Sequence, residues 1–293
     1  MTAGQRIEFT GSEGNRLVAD LFGAESPRGL VLLAHGGGQT RHSWGGTARA
    51  LAAQGISAVT MDQRGHGDSD WVDSSAYDFN SFAGDMACAA AQIRDRTGFK
   101  PAIVGASLGG LAGLFAAGQD ADESTFAALV LVDITPKMKV DGVRRIIGFM
   151  SEHSREGFAS VEEAADAISA YLPHRPRPTD LSGLSKNLRQ GDDGRLRWHW
   201  DPKFISSRAD ADNHAKDVEV QGFQAARRLK IPVLLVRGRE SELVGQGEVD
   251  AFIKAVPHAE FADIAGARHM VAGDRNDVFT DALLTFFANQ TWR

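Results

Sequence analysis

Five short and almost uninterrupted apolar runs constrain this chain most: residues 30–34, 56–61, 102–104, 127–132 and 231–236. Runs of that length without polar alternation suit strands covered on both faces, as in a parallel sheet sandwiched between helices. Helical spacing fills the intervals at 47–54, 82–96, 108–117 and 277–288, the last with Val278, Leu283, Leu284, Phe286 and Phe287 as candidates for burial. Strands alternating with helices predict a doubly wound, mostly parallel α/β sheet. Residues 6–10 and 16–22 instead alternate around Gly11, Gly14 and Asn15, which predicts an antiparallel hairpin at the start.

One interval interrupts the pattern. Between 135 and 213 no central strand is evident. Ser160 and Glu163 have capping-box spacing before Ala164, Ala165, Ile168 and Leu172, while Leu181, Leu184 and Leu188 recur at helical spacing. Residues 173–178, with three prolines, form a connection between helices. The expected organisation is a core of 1–134 and 216–293 with a helical cap insertion at 135–215.

Composition narrows the function classes. With 43% hydrophobic residues over 293 positions, the chain can bury a core without staples. Its 32 basic against 38 acidic residues give a net charge of −6, which offers no basic field to nucleic acid or to an anionic membrane. Cys88 stands alone, so no intramolecular disulfide or cysteine metal site is expected, and its place in a helix predicts core packing. No export signal or spanning stretch is recognisable, which points to a cytoplasmic protein.

The sequence Gly105-Ala106-Ser107-Leu108-Gly109 sits between an apolar strand and an apolar helix. In that setting, small residues two before and two after the serine permit a sharp turn that lifts its hydroxyl out at the carboxyl end of the sheet. The helix start also aims free N–H groups at the same place. His35-Gly36-Gly37-Gly38 follows another strand, and its glycines let Gly37 present an N–H beside that of Leu108 as an oxyanion hole. His35 is expected to hold the loop.

A serine hydroxyl needs a base to take its proton and an acid to orient that base. His269, in the loop after 260–264, is the candidate base. His258 follows Pro257 in a connection at the other edge, and the histidines at 153, 174, 199 and 214 are expected to be structural or solvated. Glu242 is the first choice of acid, because Ser107, Glu242, His269 is the chain order of a serine hydrolase on this architecture. Asp133, at a carboxyl strand end, is the alternative, followed by Glu240.

Taken together these residues resemble the α/β-hydrolase superfamily over nearly the whole chain. The stretch Asp62-Gln63-Arg64-Gly65-His66-Gly67-Asp68-Ser69 is similar to its D-x-R-G-x-G-x-S loop, with His66 structural. The run from His269 to Asp274 and the long insertion are similar to the esterase, non-haem haloperoxidase and epoxide-hydrolase-like branch. Two positions depart from that pattern: Glu242 where aspartate is common, and Arg268 where glycine often precedes the histidine. Ser107 stands where epoxide hydrolases and haloalkane dehalogenases carry an aspartate, which argues against an alkyl-enzyme route.

The resemblance implies a cofactor-free serine hydrolase, with no metal, cleaving a carboxylic ester, a lactone or a similar small acyl substrate through an acyl-enzyme. Trp44, Trp71, Phe149, Met150 and Trp198 are candidates for the pocket wall, Trp44 first. Alternatives are a ligand-binding protein that keeps the shape without turnover, and a carbon–carbon bond hydrolase or perhydrolase on the same scaffold.

Overall fold

The computed structural model describes residues 4–120, 125–175, 177–206 and 211–292, without the side chains of 211–214. Pro176 and the side chain of His214 therefore lie outside the described residues. The main sheet contains β1 (Gln5–Thr10), β2 (Arg16–Phe22), β3 (Gly29–Ala34), β4 (Ile56–Met61), β5 (Ala102–Ala106) and β6 (Leu129–Val132). After a short separate pair, β7 (Leu188–Gln190) and β8 (Leu196–Trp198), it is completed by β9 (Val233–Gly238) and β10 (Glu260–Ile264).

Strand order is β1-β2-β4-β3-β5-β6-β9-β10. β1 and β2 run antiparallel to each other, and β2 to β4, while every pairing from β4 to β10 is parallel. This is the α/β-hydrolase fold. The apolar runs behave as read: β3, β4, β6 and β9 are buried throughout.

Helices cover both faces, with α1 (Gly45–Ala53), α2 (Phe79–Thr97) and α3 (Leu108–Gln119) interleaved with the first strands. Asp78 caps α2 by accepting the Ser81 N–H at 3.0 Å, and Gly98 closes it in the left-handed conformation. Cys88 lies on α2 but only half-buried, at the margin of the core. Its neighbours Met86 and Ala89 take the interior positions expected of it.

Between β6 and β9 lie α4 (Val140–Glu152), α5 (Val161–Tyr171), α6 (Ser182–Ser185), the β7–β8 hairpin, α7 (Lys203–Ser206) and α8 (Ala211–Ala226). The capping box at Ser160 is present, with its hydroxyl accepting the Glu163 N–H at 3.2 Å. Two expectations need correction. Leu188 opens a strand instead of continuing a helix, because Asp192-Asp193-Gly194, with Gly194 at φ 77°, turns the chain back as a hairpin. The expected boundary at 215/216 falls inside α8, a helix that packs on α3 of the core.

The chain closes with α9 (Gln246–Ala255), α10 (Val271–Asp274) and α11 (Asn276–Phe287). On α11, Leu283, Phe286 and Phe287 are buried, whereas Val278 is exposed and Phe279 takes the inward place. No helix of the described residues is long and apolar enough to cross a membrane.

Candidate active site

Parallel pairing sets the site. The register matches Ala34 with Gly105, and Ala106 with Val132. The residues just past these strand ends, His35, Ser107 and Asp133, therefore emerge side by side at the carboxyl edge.

Ser107 lies between β5 and α3 at φ 47°, ψ −111°. Among the described residues only Ser75, Ser107 and Asp133 are non-glycines with positive φ. Two of these three strained positions thus fall at one strand-end cluster, which marks it as a candidate site. The flanking glycines are required by contact: a Cβ on Gly105 would stand 2.3 Å from the Gly109 carbonyl oxygen, and one on Gly109 2.4 Å from that of Ala34.

The His269 ring and the Asp133 carboxylate form the decisive pair, with Nδ1 2.8 Å from Oδ2. Asp133 is fully buried. Its Oδ2 also accepts the Ser241 hydroxyl at 2.6 Å, and its Oδ1 the Gly238 N–H at 3.0 Å. Hydrogen bonds on both oxygens offset the loss of hydration and fix the carboxylate plane. With Nδ1 engaged, Nε2 is the ring nitrogen left for chemistry.

The first-choice acid is therefore corrected. Glu242 does not bond His269; its Oε2 is buried and has no hydrogen-bond partner among the described residues. From this loop it is the Ser241 hydroxyl, not a glutamate, that reaches Asp133. Glu240 is exposed. The departure from aspartate at 242 loses its mechanistic weight once Asp133 holds the ring.

His35 is buried and locked. Its Nδ1 lies 2.8 Å from the Gly36 carbonyl, its Nε2 accepts the Gln63 N–H at 3.1 Å, and its own carbonyl accepts the Gln63 side-chain amide at 2.7 Å. Burial pushes its pKa down. In the glycine loop, Gly36 N–H donates to Gln39 Oε1 at 3.1 Å and Gly38 N–H to His66 Nε2 at 3.3 Å. Among the described residues, neither the Gly37 nor the Leu108 N–H has a protein acceptor. These are the two donors expected from the sequence.

Ser107, His269, Gly37 and Leu108 all line one cavity of about 600 Å³. The Ser107 hydroxyl makes no side-chain hydrogen bond among the described residues, so it is free to take up a partner when the site is filled. Val143, Ile146, Ile147 and Met150 of α4, with Ile168 and Tyr171 of α5, form much of the opposite wall. Trp44, Phe149 and Trp198 line it as expected. Trp71 does not: it is exposed, with the Arg189 guanidinium 3.8 Å above its ring.

A family model described as serine aminopeptidase, S33, matches residues 25–276. The chain belongs to this S33 family of α/β-hydrolases. It is 29% identical over 231 residues to the esterase Rv0045c of Mycobacterium tuberculosis, covering 76% of this chain and 70% of that protein. It is 27% identical over 253 residues to the 3-hydroxybutyrate-oligomer hydrolase of Cupriavidus necator, covering 83% of each. Among solved structures, E-2-(acetamidomethylene)succinate hydrolase superposes with a TM-score of 0.83 at 21% identity, covering 98% of this chain and all of that one.

In this S33 hydrolase several supporting residues carried little sequence signal. Ser241 and Gly238 hold Asp133, but short residues in a loop advertise no such role. Arg175 reaches from the 172–181 connection to Asp274, bonding it through Nε at 2.7 Å and again through Nη2, and Asp274 also accepts the Arg268 N–H at 2.9 Å. That link ties the segment after α5 to the loop bearing His269. His174 lines the cavity, His258 Nε2 lies 3.1 Å from the Ile231 carbonyl, and His153 packs 4.8 Å from the Phe158 ring.

Proposed function

We propose that this chain is a serine hydrolase that cleaves a carboxylic ester through an acyl-enzyme. The observation that carries the reading is the buried Asp133 carboxylate bonded to Nδ1 of His269, whose ring lines the same cavity as the strained Ser107. In this scheme His269 Nε2 takes the Ser107 proton as Oγ attacks the acyl carbon. The Gly37 and Leu108 amides hold the negative oxygen of the tetrahedral intermediate. The carbon–oxygen bond to the leaving alcohol then breaks, and the imidazolium returns the proton to that oxygen. Water, deprotonated by His269, attacks the acyl-serine in the same manner, releasing the acid and restoring the hydroxyl.

An ester is favoured over other acyl substrates because a curated relative matched over 76% of this chain is named an esterase. The cavity wall supports an apolar acyl or alcohol portion, since α4 offers it Val143, Ile146, Ile147 and Met150. We assign the 135–215 interval the role of a cap over Ser107, because α4, α5 and α7 all contribute to that wall.

The test compares hydrolysis of p-nitrophenyl butyrate by the native chain and by Ser107→Ala. A serine esterase loses on the order of 10³-fold or more in turnover. A ligand-binding protein of the same shape would give equal, near-background rates for both.

A further inference from the structure

The loop that carries His269 is gripped from the cap as well as from the core. On the core side the ring meets Asp133, and the Ala267 carbonyl accepts the Glu240 N–H at 3.0 Å. Between Ile264, where β10 ends, and Val271, where α10 begins, the loop has no regular structure of its own. Past Ala267 one arginine takes over.

Arg175 belongs to the connection after α5, where its own N–H donates to the Leu172 carbonyl at 3.0 Å. Its Nε donates to Asp274 Oδ1 at 2.7 Å, and Nη2 bonds the same oxygen. Nη2 also lies 3.4 Å from the Met270 carbonyl, and Nη1 3.5 Å from the Met270 sulfur. The other Asp274 oxygen accepts the Arg268 N–H at 2.9 Å. The residues before and after His269 are thus held by one ion pair, whose arginine comes from the cap and whose acid ends α10.

Geometry separates this pair from an ordinary surface contact. Its side chains are only 27% and 10% exposed, and a planar guanidinium can address a carboxylate and a carbonyl together, unlike an ammonium on a flexible stem. Arg175 borders the cavity, but all three of its side-chain nitrogens are engaged within the protein, so it has little to offer a bound substrate. Arg177, two positions on, makes the contrast: it is exposed and bonds Asp166 of α5 at 2.8 Å, a contact that stays within the cap. A base must keep within hydrogen-bond reach of the proton it takes, and a misplacement of about 1 Å can cost roughly a hundredfold in rate.

We propose that Arg175 is a positioning residue for His269, reaching from the cap to fix the backbone on both sides of the base. Its effect on the chemistry rests on the serine hydrolase reading; its hold on the loop does not.

The test reads both parts. Hydrolysis of p-nitrophenyl butyrate, which carries no net charge for an arginine to recognise, is measured in the native chain, Arg175→Ala, Arg175→Lys and Arg177→Ala. Backbone hydrogen exchange is followed by mass spectrometry in the same four proteins. Arg175→Ala is expected to lower kcat about ten- to a hundredfold with KM nearly constant, and to speed exchange in 266–275 while β5 stays protected. Arg175→Lys keeps the charge but not the fork and should recover part of both. Arg177→Ala should match the native chain in each. A loss carried by KM, an unchanged kcat, unchanged exchange in 266–275, or an equal loss in Arg177→Ala would overturn the proposal. If Arg175→Ala fails to fold, as judged by circular dichroism, Asp274→Asn decides. Its remaining oxygen can still accept the Arg268 N–H while an amide faces Arg175, and the same losses are expected. Faster exchange in Arg175→Ala without Ser107-dependent hydrolysis would sink only the functional reading. Ser107-dependent hydrolysis with native kcat and exchange in Arg175→Ala would sink only this positioning role.

Discussion

His269 Nδ1 stands 2.8 Å from Asp133 Oδ2, a contact that joins residues 136 positions apart and makes the end of β6, not the loop after β9, the anchor of the imidazole. Because Ser241 and Gly238 also donate to Asp133, one to each oxygen, the ring is held by a carboxylate whose plane is fixed from both sides.

Asp133→Asn should place an amide N–H against His269 Nδ1 and favour the wrong tautomer. Turnover of p-nitrophenyl butyrate is expected to fall by roughly 10²- to 10⁴-fold with little change in KM. Glu240→Gln, at an exposed position, should match the native enzyme. Equal losses in the two variants would contradict the assignment of the acid.

His66 grips the loop beside the expected oxyanion donor. Its Nε2 accepts the Gly38 N–H at 3.3 Å, its Nδ1 lies 3.0 Å from the Arg64 carbonyl, and its ring meets Phe204 edge-on at 4.7 Å. His66→Leu keeps the bulk but loses the acceptor, so kcat should drop by about tenfold with KM nearly constant. His66→Gln should recover part of it. A change confined to KM would show that the loop does not serve the transition state.

How far the site was legible in the sequence follows from what each residue does locally. Ser107, His269, Gly37 and Leu108, which line one cavity, stand out in the sequence because the roles proposed for them need a visible local pattern: glycines around a sharp bend, a glycine run after a strand, a histidine after the last strand. The acid needed only a carboxylate at a strand end. Asp133, Glu240 and Glu242 all met that condition, and what separates them is a contact with His269 across 136 residues, which no local pattern records. The β7–β8 pair was hidden for a similar reason, since three-residue strands are too short for a period to show and Leu188 also fitted a helix.

Gly67→Ala should unfold more readily than any surface change. Gly67 has φ 56°, and its Cβ would stand 2.1 Å from Asp62 Oδ2, the carboxylate that accepts the Arg41 N–H at 2.6 Å and the Asp68 N–H at 3.0 Å. The same carboxylate forms a buried ion pair with the Arg41 guanidinium at 2.5 Å, and disturbing that pair is expected to cost about 3 kcal/mol, read as a lower urea midpoint. A midpoint equal to that of the native protein would refute the account of this loop.

Acid should weaken the fold through His199. Its Nδ1 accepts the Gly67 N–H at 2.5 Å, while burial first and the His35 charge second bring its pKa down to about 4 from an ordinary 6.5. Between those values the unfolded chain binds a proton that the folded chain refuses, so this contribution is complete above pH 6.5 and is lost as pH falls toward 4. Urea midpoints across that window should slope less in His199→Gln than in the native protein. An unchanged slope would remove His199 from the explanation.

The proposed chemistry needs one hydroxyl, Ser107, to be activated by the Asp133–His269 pair. Reaction with a small fluorophosphonate followed by peptide mass mapping reads that activation without a choice of substrate. A single adduct on Ser107 is expected, absent in Ser107→Ala and strongly slowed in His269→Ala. Labelling at another residue, or ester hydrolysis that persists undiminished in Ser107→Ala, would contradict it.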